Sequence, residues 1–441
     1  MAAEWQRHAV SELIAAGKLF VGDGYRAKNE ELSTAGLPFA RAGNINDGFQ
    51  FDGADHFPPE NLGRVGNKVS EPGDVVFTSK GTVGRFAFVR DNTPRFVYSP
   101  QLCFWRSFDH QTIDPRFLYY WMFSWEFFVQ FKGVAGQTDM AEYVSLSDQR
   151  RMYITVPQLP EQRAIAHILG TLDDKIELNR RMNETLEGIA RAVFKSWFVD
   201  FDPVRAKAEG RDPGPAKDLA DLFPDSFEDS ELGVVPAGWE VGPILEHARL
   251  LSGGTPKTDR QNYWGGDIPW ASAKDVSQCS QAFLVTTERR ITEKGLSESA
   301  THLVPRFSTV VVARGATTGR MVLFGREMAM NQTCYALTTT QETPFSLYCH
   351  LRQEIDDLVH AAHGSIFDTI TTSTFETSRV VLPPGPVLAG FENLVSPLFY
   401  RIAANAEESG TLAAMRDALL RKLISGELRL REAERFSGRA V

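Results

Sequence analysis

The chain has 441 residues, four cysteines and a formal net charge of −9. That length predicts two to three domains with cores of their own. Cys103, Cys279, Cys334 and Cys349 show no paired spacing, which argues against a disulfide framework or a zinc site and fits a reducing cytoplasm. The histidines show no metal-ligand spacing either, so no metal is expected. The N-terminus lacks a basic-then-apolar leader. The most apolar stretch, 117–131, is interrupted by Glu126 and too short to cross a bilayer, so no membrane association is expected.

Residues 1–156 read as a mixed domain. Leu37-Pro38-Phe39-Ala40 is a short run that recurs in the second half of the chain. A β-branched run from Asp74 enters a glycine turn flanked by Lys80 and Arg85. Pro115 opens a helical stretch, and 117–131 reads as one buried aromatic helix. Trp121, Phe123, Trp125, Phe127 and Phe128 are assigned there to core rather than to a stacking surface. A glycine-led loop then carries Gln137 and Thr138.

Residues 157–200 form the first of two long helices. Ile165, Ile168, Leu169, Leu172, Ile176, Leu186, Ile189, Val193 and Trp197 recur 226 residues later as Phe391, Leu394, Val395, Leu398, Ile402, Leu412, Met415, Leu419 and Leu423. Steps of three and four describe a narrow coiled-coil seam. Pro160 and Pro386 stand where a helix begins, and Pro203 and Gly426 supply stops. One pair fails, Met182 against Glu408. A 38-residue helix spans about 57 Å. Lying antiparallel in register, the two helices bring Asn179 opposite Asn405 at their midpoints, one polar pair fixing register in an apolar seam. The alternative places each Asn in solvent on a helix edge. Asp173-Asp174-Lys175 reads as a solvated charged edge rather than a nuclease site.

Residues 201–236 are an acidic linker. Over 199–236, ten acids face four bases, so this connector holds −6 of the net charge. The globular parts are left near neutral, which neither proves nor excludes nucleic-acid binding.

Residues 237–382 repeat the first domain loosely. Ile268-Pro269-Trp270-Ala271 matches 37–40, and Thr309–Val312 enters a glycine turn between Arg314 and Arg320. Pro344, Leu347 and Tyr348 match Pro115, Leu118 and Tyr119, and Ser365 lies in a second glycine-led loop. Residues 383–428 carry the second long helix and 429–441 a tail. Strands and helices mix without regular βαβ alternation, so the fold class is α+β.

Three stretches carry a resemblance. Leu159-Pro160-Glu161-Gln162-Arg163, Leu172-Asp173-Asp174-Lys175-Ile176 and Phe194-Lys195-Ser196-Trp197-Phe198-Val199-Asp200-Phe201-Asp202-Pro203-Val204 resemble the central region of type I restriction-modification specificity subunits. Ser252-Gly253-Gly254-Thr255-Pro256, with Tyr263-Trp264-Gly265-Gly266-Asp267-Ile268-Pro269-Trp270, is similar to the opening of a target-recognition domain in that family, and Leu423-Ile424-Ser425-Gly426-Glu427-Leu428 to its ending. The first half opens at Trp5 without the Gly-Gly-Thr-Pro signature, and no site is assigned before residue 36.

The resemblance implies two target-recognition domains separated by antiparallel coiled-coil helices, with an internal pseudo-two-fold repeat. It implies a non-catalytic subunit that binds double-stranded DNA, holds two methyltransferase subunits and recruits motor-nuclease subunits for restriction. S-adenosylmethionine would sit on the methyltransferases, with no cofactor on this chain. The residues agree. The nearest approach to a methyltransferase motif, Leu382-Pro383-Pro384-Gly385, lacks the amide and the aromatic ring, and no phosphate-binding glycine loop ending in Lys-Ser/Thr is present.

A pseudo-two-fold suits the local two-fold of a duplex, so two unlike readers predict two unlike half-sites at a spacing set by the helices. The DNA-contact candidates are Lys80, Arg85, Gln137, Thr138, Lys257, Thr258, Arg314, Arg320 and Ser365, with exposed hairpin charge as the plainer reading of the cations. Two rivals remain. One is a coiled-coil scaffold with two docking domains and no DNA binding. The other is a carbohydrate-binding or hydrolytic protein using Trp and Asp.

Overall fold

The computed structural model describes residues 5–45, 48–79, 84–135, 144–361 and 369–429. Lys80, Gln137, Thr138 and Ser365 lie outside the described residues. The chain divides into two compact units, Met1–Asp174 with Ala413–Val441, and Lys175–Leu412. The divisions fall inside the long helices, so each helix contributes residues to both units. The expected segmentation instead placed its boundaries at the helix ends.

The helices run Leu159–Phe198 and Gly385–Ile424. Pro160 and Pro386 take second positions, where the missing N–H is no loss. At the far end, Gly426 adopts φ +72° and lets the chain leave the second helix. Asp202 and Pro203 open a new short helix after Phe201, which sits at φ 55°.

The seam itself needs two corrections. Its buried line on the first helix passes through Ile165, Leu169, Asn179, Asn183, Ala190 and Trp197. The sequence reading chose Ile189 and Met415, but they are 46% and 50% exposed, and Leu394 is 47% exposed. Alternating steps of four and three from 183 through 186 lead to 190, which is alanine and fully buried. An alanine or a polar residue in a heptad seam carries little apolar signal, so bulkier neighbours displaced it in the reading.

The second correction concerns register. Asn179 and Asn405 are both buried, yet their side chains do not pair with one another. Asn405 Nδ2 donates to Asn183 Oδ1 at 2.8 Å. Asn179 Nδ2 donates to Glu408 Oε2 at 2.8 Å and Ser409 Oγ at 3.3 Å, and reaches only the backbone oxygen of Asn405, at 3.5 Å. Under the 226-residue repeat Asn183 corresponds to Ser409, so these are one contact made twice. The helices are therefore antiparallel and slid by about one turn from the expected alignment. The slide gives each buried amide a partner one turn along the facing helix.

It also explains the failed pair. Glu408, in place of Met182, accepts from Asn179 and forms a 3.1 Å ion pair with Lys175, while Lys175 donates to Asn179 Oδ1 at 2.9 Å. Those hydrogen bonds from Asn179 and Lys175 hold the Glu408 carboxyl below its usual pKa.

In the first unit, Gln6–Ala9 pairs antiparallel with Tyr153–Val156 just ahead of the long helix. A four-stranded antiparallel sheet follows the order Leu19–Asp23, Leu102–Ser107, Val75–Thr78, Phe86–Phe88. A smaller sheet joins His56–Phe57, Leu37–Ala40 and Val97–Tyr98. Between the two sheets, Asp74 is fully buried and accepts from Arg106 Nε at 2.6 Å, Arg106 Nη2 at 2.7 Å and Tyr98 Oη at 2.6 Å. A buried carboxylate needs such saturation.

The aromatic stretch is two helices, Pro115–Trp121 and Trp125–Ala135, rather than one. Ser124 Oγ accepts from Phe127 N at 3.1 Å and starts the second. Trp121, Phe127 and Phe131 point into the core, but Trp125 is 82% exposed and Phe123 and Phe128 are partly exposed. The break rotates 125, 128 and 129 onto an outer face.

The second unit repeats this plan. Glu240–Pro243 pairs with Arg379–Leu382 just ahead of the second long helix. The main sheet runs Ala248–Ser252, Cys334–Thr339, Thr309–Val312, Met321–Phe324, Phe283–Leu284. The small sheet runs Arg289–Ile291, Trp264–Ala271, Met328–Met330, Leu303–Val304. Its parallel pairing of Trp270 with Ala329 and Ala271 with Met330 matches that of Phe39 with Val97 and Ala40 with Tyr98. The acidic connector is folded: its Phe201, Val204 and Phe223, with Trp239 just beyond it, join the core cluster containing Phe194, Trp197 and Phe391. No described helix is long and apolar enough to cross a membrane.

Two outcomes are expected from this packing. Asn405→Leu strips Asn183 Oδ1 of its donor and should destabilise the chain by about 1–3 kcal/mol, part of it recovered in Asn183→Leu/Asn405→Leu. Denaturant melts of the four proteins measure the coupling, and simple additivity would refute it.

The second concerns His350, packed against Phe194 and Phe198 with ring centroids 4.6 and 5.6 Å away. Burial lowers its pKa to about 4. A base whose folded pKa lies below its unfolded value of about 6.5 makes the fold less stable as pH falls from 6.5 towards 4. Stability measured against pH should therefore fall less steeply for His350→Gln over that window.

Candidate nucleic-acid interface

The second unit offers the clearest surface. Thr309–Val312 and Met321–Phe324 form a hairpin whose turn is pinned at its base, with Val312 N donating to Arg320 O at 2.8 Å. Gly315 and Gly319 take φ +98° and +87°, which only glycine adopts freely. Arg314 and Arg320 stand exposed at the two ends of this turn, with no carboxylate partner among the described residues.

The first unit differs at Arg85, the residue that matches Arg320. Arg85 is exposed, but its Nη1 donates to the carbonyls of Ala42 and Ile45 at 3.4 and 3.3 Å. This arginine ties the hairpin to a neighbouring loop, whereas the Arg320 side chain has no such bond among the described residues. Lys80, at the other end of that turn, lies outside the described residues, as do Gln137, Thr138 and Ser365.

Lys257 and Thr258 are exposed and follow the Gly-Gly-Thr-Pro stretch. The two glycines have a packing reason. A Cβ on Gly253 would come 2.0 Å from the Asn331 carbonyl oxygen, and one on Gly254 would come 2.4 Å from the Ala300 carbonyl carbon. Trp270 Nε1 donates to Gly254 O at 3.0 Å. The signature thus seats the loop against the small sheet and hands the chain on to Lys257, whose carbonyl accepts from Trp264 Nε1 at 3.2 Å.

Sequence reasoning missed Arg289 and Arg290 on the edge strand beside Trp264, although an adjacent Arg pair was visible. The Arg289 guanidinium carbon lies 3.4 Å from the centroid of the Trp264 ring. The structure thus brings Lys257 to Trp264 and places Arg314 and Arg320 on one turn.

Asp174 is exposed, as expected of a charged edge, but Asp173 is largely covered and both carboxylates are held by partners. Asp173 accepts from Tyr120 Oη at 2.6 Å and from Arg416 Nη1 at 2.8 Å. Asp174 accepts from Arg116 Nη2 at 2.5 Å and also binds Arg90. Partial burial alone would raise the Asp174 pKa, but the two guanidinium groups overcome it and hold the carboxyl low. Burial, with the Asp173 charge, drives the Tyr120 hydroxyl well above its ordinary pKa. Both Asp173 oxygens and Asp174 Oδ1 face donors, so the cluster clamps helix to domain. Among the described residues no group of three His, Cys, Asp or Glu side chains could hold a metal ion.

Comparison with known proteins gives the same direction. The family model described as the type I restriction modification DNA specificity domain matches residues 4–188 and 236–386, one match for each repeat. The HindI specificity subunit of Haemophilus influenzae is 27% identical over 408 residues, covering 82% of this chain and 88% of that protein. The MjaIX specificity subunit of Methanocaldococcus jannaschii is 25% identical, covering 83% and 80%. The crystal structure of a type I restriction-modification S subunit from M. genitalium superposes with TM-score 0.54 at 14% identity, over 95% of this chain and 96% of that one, and so shares the fold. With both repeats matched, the chain belongs to the type I restriction modification DNA specificity family, and its function is recognition of a DNA target.

Proposed function

We propose that the chain reads a bipartite, asymmetric DNA site and performs no chemistry itself. The observation that carries this reading is a shared framework with unlike exposed residues. The two units repeat sheet order and strand pairing, yet Arg85 is tied to two carbonyls where the exposed Arg320 side chain has no partner among the described residues. Such a molecule presents two different readers to a duplex, and the half-sites should differ accordingly.

Two methyltransferase subunits would assemble around it and carry S-adenosylmethionine, with no cofactor on this chain. Motor-nuclease subunits would join for restriction. The family match favours this over a scaffold without DNA binding.

Deleting the gene should erase one bipartite motif from the genome-wide adenine methylation map of the native cell. A map that keeps every motif would overturn the assignment. Within this reading the long helices act as a ruler. A heptad added to each lengthens the pair by about 10 Å, roughly three base pairs at 3.4 Å each. The half-sites in the methylated motif should then move apart, or methylation should cease. An unchanged spacer would sink the ruler.

A further inference from the structure

The small sheet of the second unit ends in an edge strand, Arg289–Ile291, bonded on one side only, to Trp264–Ala271. Ile291 is fully buried, and Arg289, two residues away, lies on the same face beside Trp270. The Arg289 guanidinium carbon stacks 3.4 Å from the Trp264 ring centroid and lies 5.6 Å from that of Trp270, and the two indoles meet edge to face at 5.1 Å.

Stacking fixes the plane of the fork, and its donor edges have no hydrogen-bond partner among the described residues. Arg289 is exposed and has no carboxylate partner among the described residues. Other cations nearby are neutralised: Arg260 by Glu298, and Lys274 by Glu288. Arg290 binds the carbonyl of Asp267, and the indole N–H of Trp264 donates to the Lys257 backbone carbonyl. A stem serving only to cover the indoles would not need a planar head, whereas a rigid, aromatic-backed fork is suited to bidentate recognition.

The repeat supplies a second observation. In the first unit Leu37 and Pro38 pair with Phe57 and His56, as Ile268 and Pro269 pair with Ile291 and Arg290 in the second. The position matching Arg289 is therefore Asp55, whose carbonyl accepts from Phe39 N at 2.7 Å. Asp55 forms a 2.6 Å ion pair with Arg41. The strands beneath are alike, Leu-Pro-Phe-Ala and Ile-Pro-Trp-Ala, yet the exposed edge residue changes sign. A framework kept while one exposed residue inverts is what two readers of unlike half-sites require.

We propose that Arg289, held flat on Trp264, makes a bidentate contact to a guanine edge in the half-site read by the second unit. This rests on the DNA reading above and names one of its specificity determinants. Arginine matches the guanine O6 and N7 acceptors with two donors in one plane, which lysine cannot do.

The test uses the full chain assembled with its methyltransferase subunits, and duplexes carrying the mapped motif with each base pair varied in turn. Arg289→Ala should lower discrimination at a single G·C pair of one half-site by about 10- to 100-fold, leaving the other half-site as it was. Arg289→Lys should not restore it. Weakening that is uniform across all sequences, with a salt slope shallower by about one, marks a phosphate contact and overturns the proposal. So does an unaltered motif. Should Arg289→Ala fail to fold for want of a cover over the indoles, Arg289→Gln keeps the stem, and unchanged discrimination in that variant also overturns it. A wild-type complex that methylates no bipartite motif removes the DNA reading itself, a different result from a wild-type motif indifferent to Arg289.

Discussion

Buried amides at the centre of the helix pair constrain the rest of the molecule. Asn179, Asn183 and Asn405 have at most 3% of their surface exposed, and their bonds across the seam close in one antiparallel register. A slip of one turn would leave at least two amides unpaired, each costing about 1–3 kcal/mol. Apolar seams tolerate such slips more readily, since leucine fits many holes. The same register sets Asp173 against Arg416 at 2.8 Å in the first unit. At the repeat-related positions of the second, Ala190 and Phe399 lie in one apolar cluster. One geometric slot is filled by an ion pair in one half and by a small-large apolar pair in the other.

Duplication with divergence recurs in the domains. Strand order, the parallel pairing in the small sheet and the strand ahead of each long helix are common to both. The divergence that bears on a ligand sits on what water touches: the hairpin arginines, and the edge residue that is Asp55 in one unit and Arg289 in the other. Interior positions answer to packing, and they change only in ways that fill the same slot. Exposed edges answer to the ligand, which differs if the two half-sites differ.

That contrast also decides how much could be read from the chain. The long helices were legible because a heptad written twice repeats its own evidence, and the match of Leu37-Pro38-Phe39-Ala40 to Ile268-Pro269-Trp270-Ala271 located corresponding strands. Ala190 and Asn183 were invisible because seam positions without bulk carry no apolar signal. The slide between Asn179 and Asn405 depends on amide valency, which periodicity does not report. The split of 117–131 turned on Ser124, one small cap within an apolar run. Arg289 escaped because its significance comes from Trp264, 25 residues earlier in the chain. The ties of the Asp173-Asp174 pair were not legible because its partners, Tyr120, Arg116, Arg90 and Arg416, are distant in sequence.

The charge pattern then fits a reader better than a gripper. Non-specific affinity for DNA grows with the number of phosphates neutralised, and a chain of net charge −9 is poorly placed to supply it. Many of its arginines are committed internally: Arg106 to Asp74, Arg116 and Arg90 to Asp174, Arg416 to Asp173. Lys257, Arg289, Arg314 and Arg320 are among the cations without a carboxylate partner in the described residues, and these four sit in a loop, at the ends of a turn or on a sheet edge. Base contacts specify while phosphate contacts position. In the proposed complex, specificity would thus be concentrated in this chain and much of the electrostatic hold supplied by its partners. A subunit with weak intrinsic attraction to phosphate discriminates better, because the sequence-independent background against which each base contact competes is low.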